Sequence, residues 1–134
     1  MIGLDTNVLA RFIVRDDQAQ AAAATKLLEA RTKTDPALVP LVTLVELWWV
    51  LTKHYDFPKA QVADLVDKML ATEGLQLSEP DVVRGAVEKV RSGADFADAV
   101  IAALAMRSGC DAVATFDRKA IRRAGMRAVA ELIR

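Results

Sequence analysis

Residues 1–14 read Met-Ile-Gly-Leu-Asp-Thr-Asn-Val-Leu-Ala-Arg-Phe-Ile-Val, and this opening decides the fold class. Met1 to Leu4 is a short apolar run that predicts a buried strand. Asp5, Thr6 and Asn7 form its exit turn, and all three are residue types that cap helices. Val8 to Val14 then carries apolar residues at helical spacing. A buried strand passing through a turn into a helix is the unit from which α/β folds are assembled.

The same alternation continues downstream. Asp16 and Asp17 precede the Ala-rich stretch Ala19 to Ala30, a helix with an acidic start. Ala37 to Val42 predicts a second strand. Helices follow over 43–54 and 58–71, the latter opening on Pro58 in its favoured first-turn position. Gly74 stops that helix, and Leu75 to Leu77 predicts a short strand. Helices over 80–91 and 94–108 are split by Ser92-Gly93, and Gly109 ends the second. Ala112 to Phe116 predicts a strand, Arg118 to Ala124 a helix ended by Gly125, and Met126 to Val129 a last strand. There are no repeats, low-complexity segments or interior linkers. The expectation is a single domain over residues 1–134: an α/β/α sandwich with a short, mostly parallel sheet flanked by helices. Ligands of such folds gather beyond the carboxyl ends of the strands.

Composition narrows the function classes. Hydrophobic residues make up 53% of the 134, which excludes a disordered chain. No basic leader precedes an apolar run, and none approaches the ~20 residues a bilayer crossing needs. The longest candidate, Leu38 to Leu51, is interrupted by Glu46. A single cysteine, Cys110, rules out a disulfide framework, so a cytoplasmic protein is expected, with no membrane partner. The 18 acids balance 18 bases overall, but unevenly. Residues 56–98 are acid-rich, whereas residues 117–134 set Asp117 and Glu131 against six bases. That basic segment suits phosphates or plain solvation.

Five acids stand where the pattern offers no solvent-facing reason for them. Asp5 follows the first strand and Asp117 follows the strand Ala112 to Phe116, each placed to cap the next helix or to meet a ligand. Glu46 breaks the apolar run Leu41 to Leu51. Thr43 and Glu46 fit a capping box, and the same first-turn position would also present a carboxylate to a cation. Asp95 and Asp98 are spaced to share one helical face, where two anions repel. The sequence after Asp98 is apolar or small as far as Arg107, so that helix is expected to be almost wholly buried, and its acids to need a partner. No comparable set of bases stands at similar positions. Hard divalent cations with oxygen ligands solve this, and Mg²⁺ or Mn²⁺ is the expected cofactor. One His and one Cys do not make a usual zinc shell.

Ile2-Gly-Leu-Asp-Thr-Asn-Val-Leu, the isolated Glu46 in Thr-Leu-Val-Glu-Leu, Asp98-Ala-Val-Ile-Ala-Ala-Leu-Ala and Ala114-Thr-Phe-Asp117 together resemble the four motifs of PIN domains. Their order and spacing look most like the VapC-type toxins of bacterial toxin–antitoxin pairs. The resemblance implies that Asp5, Glu46, Asp98 and Asp117 form the catalytic metal-binding quartet. It implies that Thr6, Asn7 and Thr115 orient those carboxylates. Asp98 matches the family's third acid; Asp95, one turn earlier, would assist or replace it. It also implies RNA as substrate, an antitoxin protein as partner and a homodimer.

The remaining residues fit metal-assisted hydrolysis. His54 is alone, which excludes a two-histidine ribonuclease, and it lies near a helix end that favours a cation. No nucleophile elbow, Cys/His pair or phosphate-binding loop is present. Attack by water would leave a 5′ phosphate and a 3′ hydroxyl and would not require the 2′ hydroxyl. Arg11, Arg15, Arg118 and Lys119 flank the acids and are the expected RNA-binding residues, with Arg122, Arg123 and Arg127 extending the track. Adjacent residues point to different sides, so one of Trp48 and Trp49 belongs to the core. The other, with the acidic stretch 56–98, would face a partner segment. Two other readings stay open. A haloacid-dehalogenase-like phosphatase shares the strand-then-Asp opening but needs a second Asp where Asn7 stands. A non-catalytic PIN-like RNA- or protein-binding domain needs none of the chemistry.

Overall fold

A computed structural model describes residues 1–133, and the chain divides into two compact units, Met1–Pro80 and Asp81 onward. The first unit runs β1 (Ile2–Gly3), α1 (Thr6–Val14), α2 (Gln18–Glu29), β2 (Ala37–Val39), α3 (Leu41–Trp49), a π-helical continuation Val50–His54, α4 (Lys59–Ala71) and β3 (Leu75–Leu77). Its sheet has the order β1-β2-β3, all parallel, with Ile2 opposite Ala37 and Ala37 opposite Leu75. The amide of Leu4 donates to Leu38 O at 2.9 Å, so the ladder reaches the residue before Asp5. Ala37 and Val39 are fully buried in the central strand, with Leu9, Leu44, Leu47, Leu51, Val62 and Val66 among the core side chains. Leu44, Leu47 and Leu51 lie one face deep along α3 and its continuation, as their spacing predicts.

Pro40 moves two boundaries. The expected strand 37–42 ends at Val39, and the helix expected from Thr43 begins at Leu41. Proline has no N–H to continue a ladder, while its φ of −59° suits a helix start, and its carbonyl accepts from Leu44 N at 3.1 Å. Thr43 therefore sits inside the helix, and no side chain caps α3, so the expected Thr43–Glu46 capping box does not form. The tryptophans divide as expected: Trp48 is 4% exposed and Trp49 61%. Gly74 turns the chain into β3 at φ +86°, and a Cβ there would lie 2.9 Å from Arg31 O.

The second unit comprises α5 (Pro80–Arg91), which starts at the boundary, then α6 (Phe96–Arg107), β4 (Ala114–Thr115), α7 (Arg118–Ala124), β5 (Arg127–Ala128) and α8 (Val129–Leu132). β4 and β5 pair in parallel, Ala114 opposite Arg127. The strand expected over 112–116 shortens to two residues because the Asp117 amide turns back onto Thr115 Oγ1 at 3.0 Å. α8 replaces the end of the expected last strand. α5 is amphipathic, burying Val82, Val83, Ala86, Val87 and Val90.

α6 overturns an expectation. Phe96, Ala99 and Val100 are buried, but Ile101 is 50% and Met106 58% exposed, so the helix is not almost wholly buried. Half of its ten apolar residues are alanines, small enough to sit at a surface at little cost, and Ile101 and Met106 carry larger apolar surface outward as well. Among the described residues, no helix is long and apolar enough to cross a membrane.

Candidate active site

In the first unit Asp5 leaves β1 and caps α1, its Oδ1 accepting from Thr6 N at 2.8 Å. That bond fixes one carboxylate oxygen, and the residue remains exposed. The Thr43 hydroxyl is buried and donates to Leu4 O at 3.1 Å, tying α3 to the residue before Asp5. Glu46 lies one helical turn beyond Thr43 on the same face and is exposed. Asp5, Thr6, Val42, Thr43 and Glu46 together line a shallow pocket of about 240 Å³. Two of the four expected acids thus share one pocket, pinned by the Thr43 hydroxyl.

Asn7 lines a different groove, with Val8, Arg11 and Gln20 between α1 and α2. The two arginines expected to meet RNA here are both engaged locally. Arg11 Nε donates to Gln20 Oε1 at 2.6 Å and its Nη1 to Asp16 Oδ1 at 3.2 Å. Arg15 Nη1 donates to Thr25 Oγ1 at 3.1 Å and to Phe12 O at 3.4 Å. Both guanidinium groups fasten α1 to the segment that follows it.

In the second unit Asp95 caps α6, its Oδ2 accepting from Asp98 N at 3.3 Å. Asp95 is therefore the residue before the helix, not a member of its first turn. Asp117 caps α7, its Oδ1 accepting from Lys119 N at 2.8 Å and Ala120 N at 3.2 Å. Thr115 supports Asp117 through the backbone amide rather than the carboxylate. Asp98 lies in the first turn of α6, part-buried. Burial, and then the negative charges of Asp95 and Asp117, push its carboxyl above the ordinary aspartate value, with Lys119 pulling the other way. Among the described residues Asp98 has no ion-pair partner. The expected repulsion is present, and Asp117 joins it.

Arg118, Lys119 and Arg122 are exposed along α7 and make no ion pair among the described residues. Arg123 instead donates to Ser92 O at 3.5 Å, and Arg127 pairs with Glu131 at 3.4 Å. Phe116, between Thr115 and Asp117, is 89% exposed. The sequence gives little sign of this, because a phenylalanine ending an apolar run reads as strand core. His54 and Cys110 are exposed.

Among the described residues, no three or more His, Cys, Asp or Glu side chains within either unit stand grouped to hold a metal ion. The donor chemistry nonetheless suits a hard divalent cation. Asp5, Asp95 and Asp117 each fix one oxygen in a cap and keep a second, while Asp98 is held against like charge. No curated protein matches the chain. The family model of the PIN domain matches residues 2–126, a span that contains Asp5, Glu46, Asp95, Asp98 and Asp117 and the bases Arg11, Arg15, Arg118, Lys119, Arg122 and Arg123; Arg127 and Glu131 lie beyond it. The chain belongs to the PIN-domain family, and its fold is of the nuclease type.

Proposed function

We propose that residues 1–134 act as one metal-dependent endoribonuclease domain in which Asp5, Glu46, Asp98 and Asp117 hold Mg²⁺ or Mn²⁺. The observation that supports this reading is Asp98, part-buried in the first turn of α6 with no ion pair among the described residues, its carboxyl pushed up first by burial and then by the charges of Asp95 and Asp117. A part-buried carboxylate destabilised by burial and like charge is a candidate for a functional role, and a divalent cation would offset that charge. When bound, such an ion lowers the pKa of a water and steadies the charge on the phosphate. The chain's own contribution is rigidity: the caps at Asp5 and Asp117 fix one oxygen of each carboxylate, and the Thr43 bond holds the Glu46 helix to the Asp5 turn. Asp95 holds the start of α6 and so places Asp98. Arg118 and Lys119 are ready to meet phosphates; Arg11 and Arg15 would have to exchange their present partners to do so.

The resemblance to VapC-type toxins extends the proposal to a cytoplasmic, homodimeric toxin restrained by an antitoxin protein. A non-catalytic PIN domain is the second reading, favoured by the caps, since Asp5, Asp95 and Asp117 already have structural work. One assay separates the two. The purified chain should cleave a labelled single-stranded RNA with Mg²⁺, stop on chelation with EDTA, and lose on the order of a hundredfold or more as Asp98→Asn. Cleavage that ignores EDTA, or an Asp98→Asn variant as active as the parent, would overturn the metal-dependent reading. A parent that binds RNA without cutting it selects the second.

A further inference from the structure

We propose that Phe116 is a stacking platform for an unpaired nucleobase of the RNA; this rests on the ribonuclease reading above. At 89%, Phe116 is the most exposed large apolar side chain among the described residues, and it stands directly before Asp117 of the proposed site. It is not on a loose loop. Thr115 is paired to Ala128 across β4 and β5, its Oγ1 accepts the Asp117 amide at 3.0 Å, and Asp117 caps α7. The backbone on both sides is fixed, so the ring is presented with few rotatable bonds left to freeze.

What covers it is indicated by its neighbours. Asp117, Arg118 and Lys119 are all exposed, and Arg118, Lys119 and Arg122 lack ion-pair partners among the described residues. The ring is followed in the chain by an acid and two bases, all exposed, whereas an apolar protein segment would be met by further apolar residues there. A nucleotide has the matching construction, a flat apolar base joined to an anionic phosphate. Aromatic stacking plus nearby cations is how single strands are held without sequence readout. Bases in a duplex are already stacked on each other and offer no free face.

The test uses the full chain carrying Asp98→Asn, so that RNA binds without being cut, and reads affinity by fluorescence anisotropy on a labelled single-stranded oligonucleotide. Phe116→Ala should weaken binding by about tenfold, leave the salt dependence unchanged, and be rescued by Phe116→Trp. Arg118→Ala should instead flatten the salt dependence. Replacing the oligonucleotide's bases one at a time by abasic ribose should reveal a position that lowers affinity for the Phe116 protein and not for Phe116→Ala. A melt confirms that the exposed substitution leaves the fold intact. RNA affinity equal in the Phe116 and Phe116→Ala proteins, or an abasic penalty equal in both, overturns the proposal and assigns the ring to a protein partner instead. Cleavage by the Asp98 protein is measured separately. Its absence with a persisting Phe116 effect removes the nuclease reading alone, and cleavage without a Phe116 effect removes the stacking alone.

Discussion

Asp5, Asp95 and Asp117 each give one carboxylate oxygen to the start of a helix, so capping and ligation are not rival roles for these residues. Substitutions separate the two. Asn caps as well as Asp, so Asp95→Asn should keep stability, whereas Asp95→Ala should lose about 1 kcal/mol. Asp98 caps nothing and is held against two anions, so metal-free Asp98→Asn should be no less stable than the parent while losing Mg²⁺-dependent cleavage. Denaturant midpoints and the cleavage assay read both. Activity falling more with Asp95→Asn than with Asp98→Asn would exchange the roles of the two acids. Away from these acids, Tyr55 donates to Asp16 Oδ2 at 2.8 Å, and this bond is the largest influence holding the Asp16 carboxyl below its ordinary 3.8. A carboxylate with a lowered folded-state pKa gives its stability above the unfolded value and loses it as pH falls through the folded one. Tyr55→Phe should therefore destabilise at neutral pH, and the gap to the parent should close in strong acid. A gap that stays constant from pH 7 to pH 2 would show that the bond does not act through Asp16. The acids stand out in the sequence because they interrupt apolar runs. Asp5, Glu46 and Asp117 are nonetheless exposed, so the conflict with burial that the pattern suggests holds only for the part-buried Asp95 and Asp98. Thr43 and Phe116 do not stand out. A hydroxyl bonded to a carbonyl in a distant strand and a ring turned outward both depend on tertiary placement that local pattern does not carry.

At the scale of elements the helices were readable and the strands only as positions. α5 and α7 keep their expected bounds because Pro80, Gly125 and the caps are local signals. Strands of two or three residues have no internal pattern, and their ends are set by Pro40 and by the Thr115–Asp117 turn. α6 misled for a different reason, since alanine raises apolarity without demanding burial. The glycines offer a quantitative check on what local geometry costs. Gly74 and Gly125 both have positive φ, at +86° and +70°, but only Gly74 faces an obstacle, the carbonyl of Arg31 at 2.9 Å from a built Cβ. Gly125→Ala should cost about 1 kcal/mol for the left-handed backbone alone. Gly74→Ala adds a clash with backbone that has no flexible end to swing aside, and should cost about 3 kcal/mol. Equal losses in the two denaturation midpoints would mean that the turn before β3 relaxes freely.

For the whole molecule, the proposed chemistry has a biological consequence that can be measured without knowing the RNA target. The proposed nuclease needs only carboxylates, an abundant cation and water, so a second molecule that occupies the acids would restrain it. Charge indicates how. A basic side chain brought to the acids competes with a divalent cation for the same oxygens, since both are attracted by the same field. Trp49, exposed at 61% beside the half-buried and exposed residues of α3, and the acid-rich stretch 56–98 are features a basic, partly apolar segment would meet. The antitoxin proposal therefore makes a prediction in three parts. Expression of the parent chain alone should arrest growth, Asp5→Asn at the same level should not, and co-expression of a neighbouring short reading frame with a basic segment should relieve the arrest. Asp5→Asn is the informative control because Asn keeps the α1 cap and removes only the charge. Arrest by both the parent and Asp5→Asn would place the harm in misfolding or in binding rather than hydrolysis. Harmless expression of the parent, at levels confirmed by blot, would remove the toxin role while leaving the cleavage of RNA in the tube to stand on its own assay.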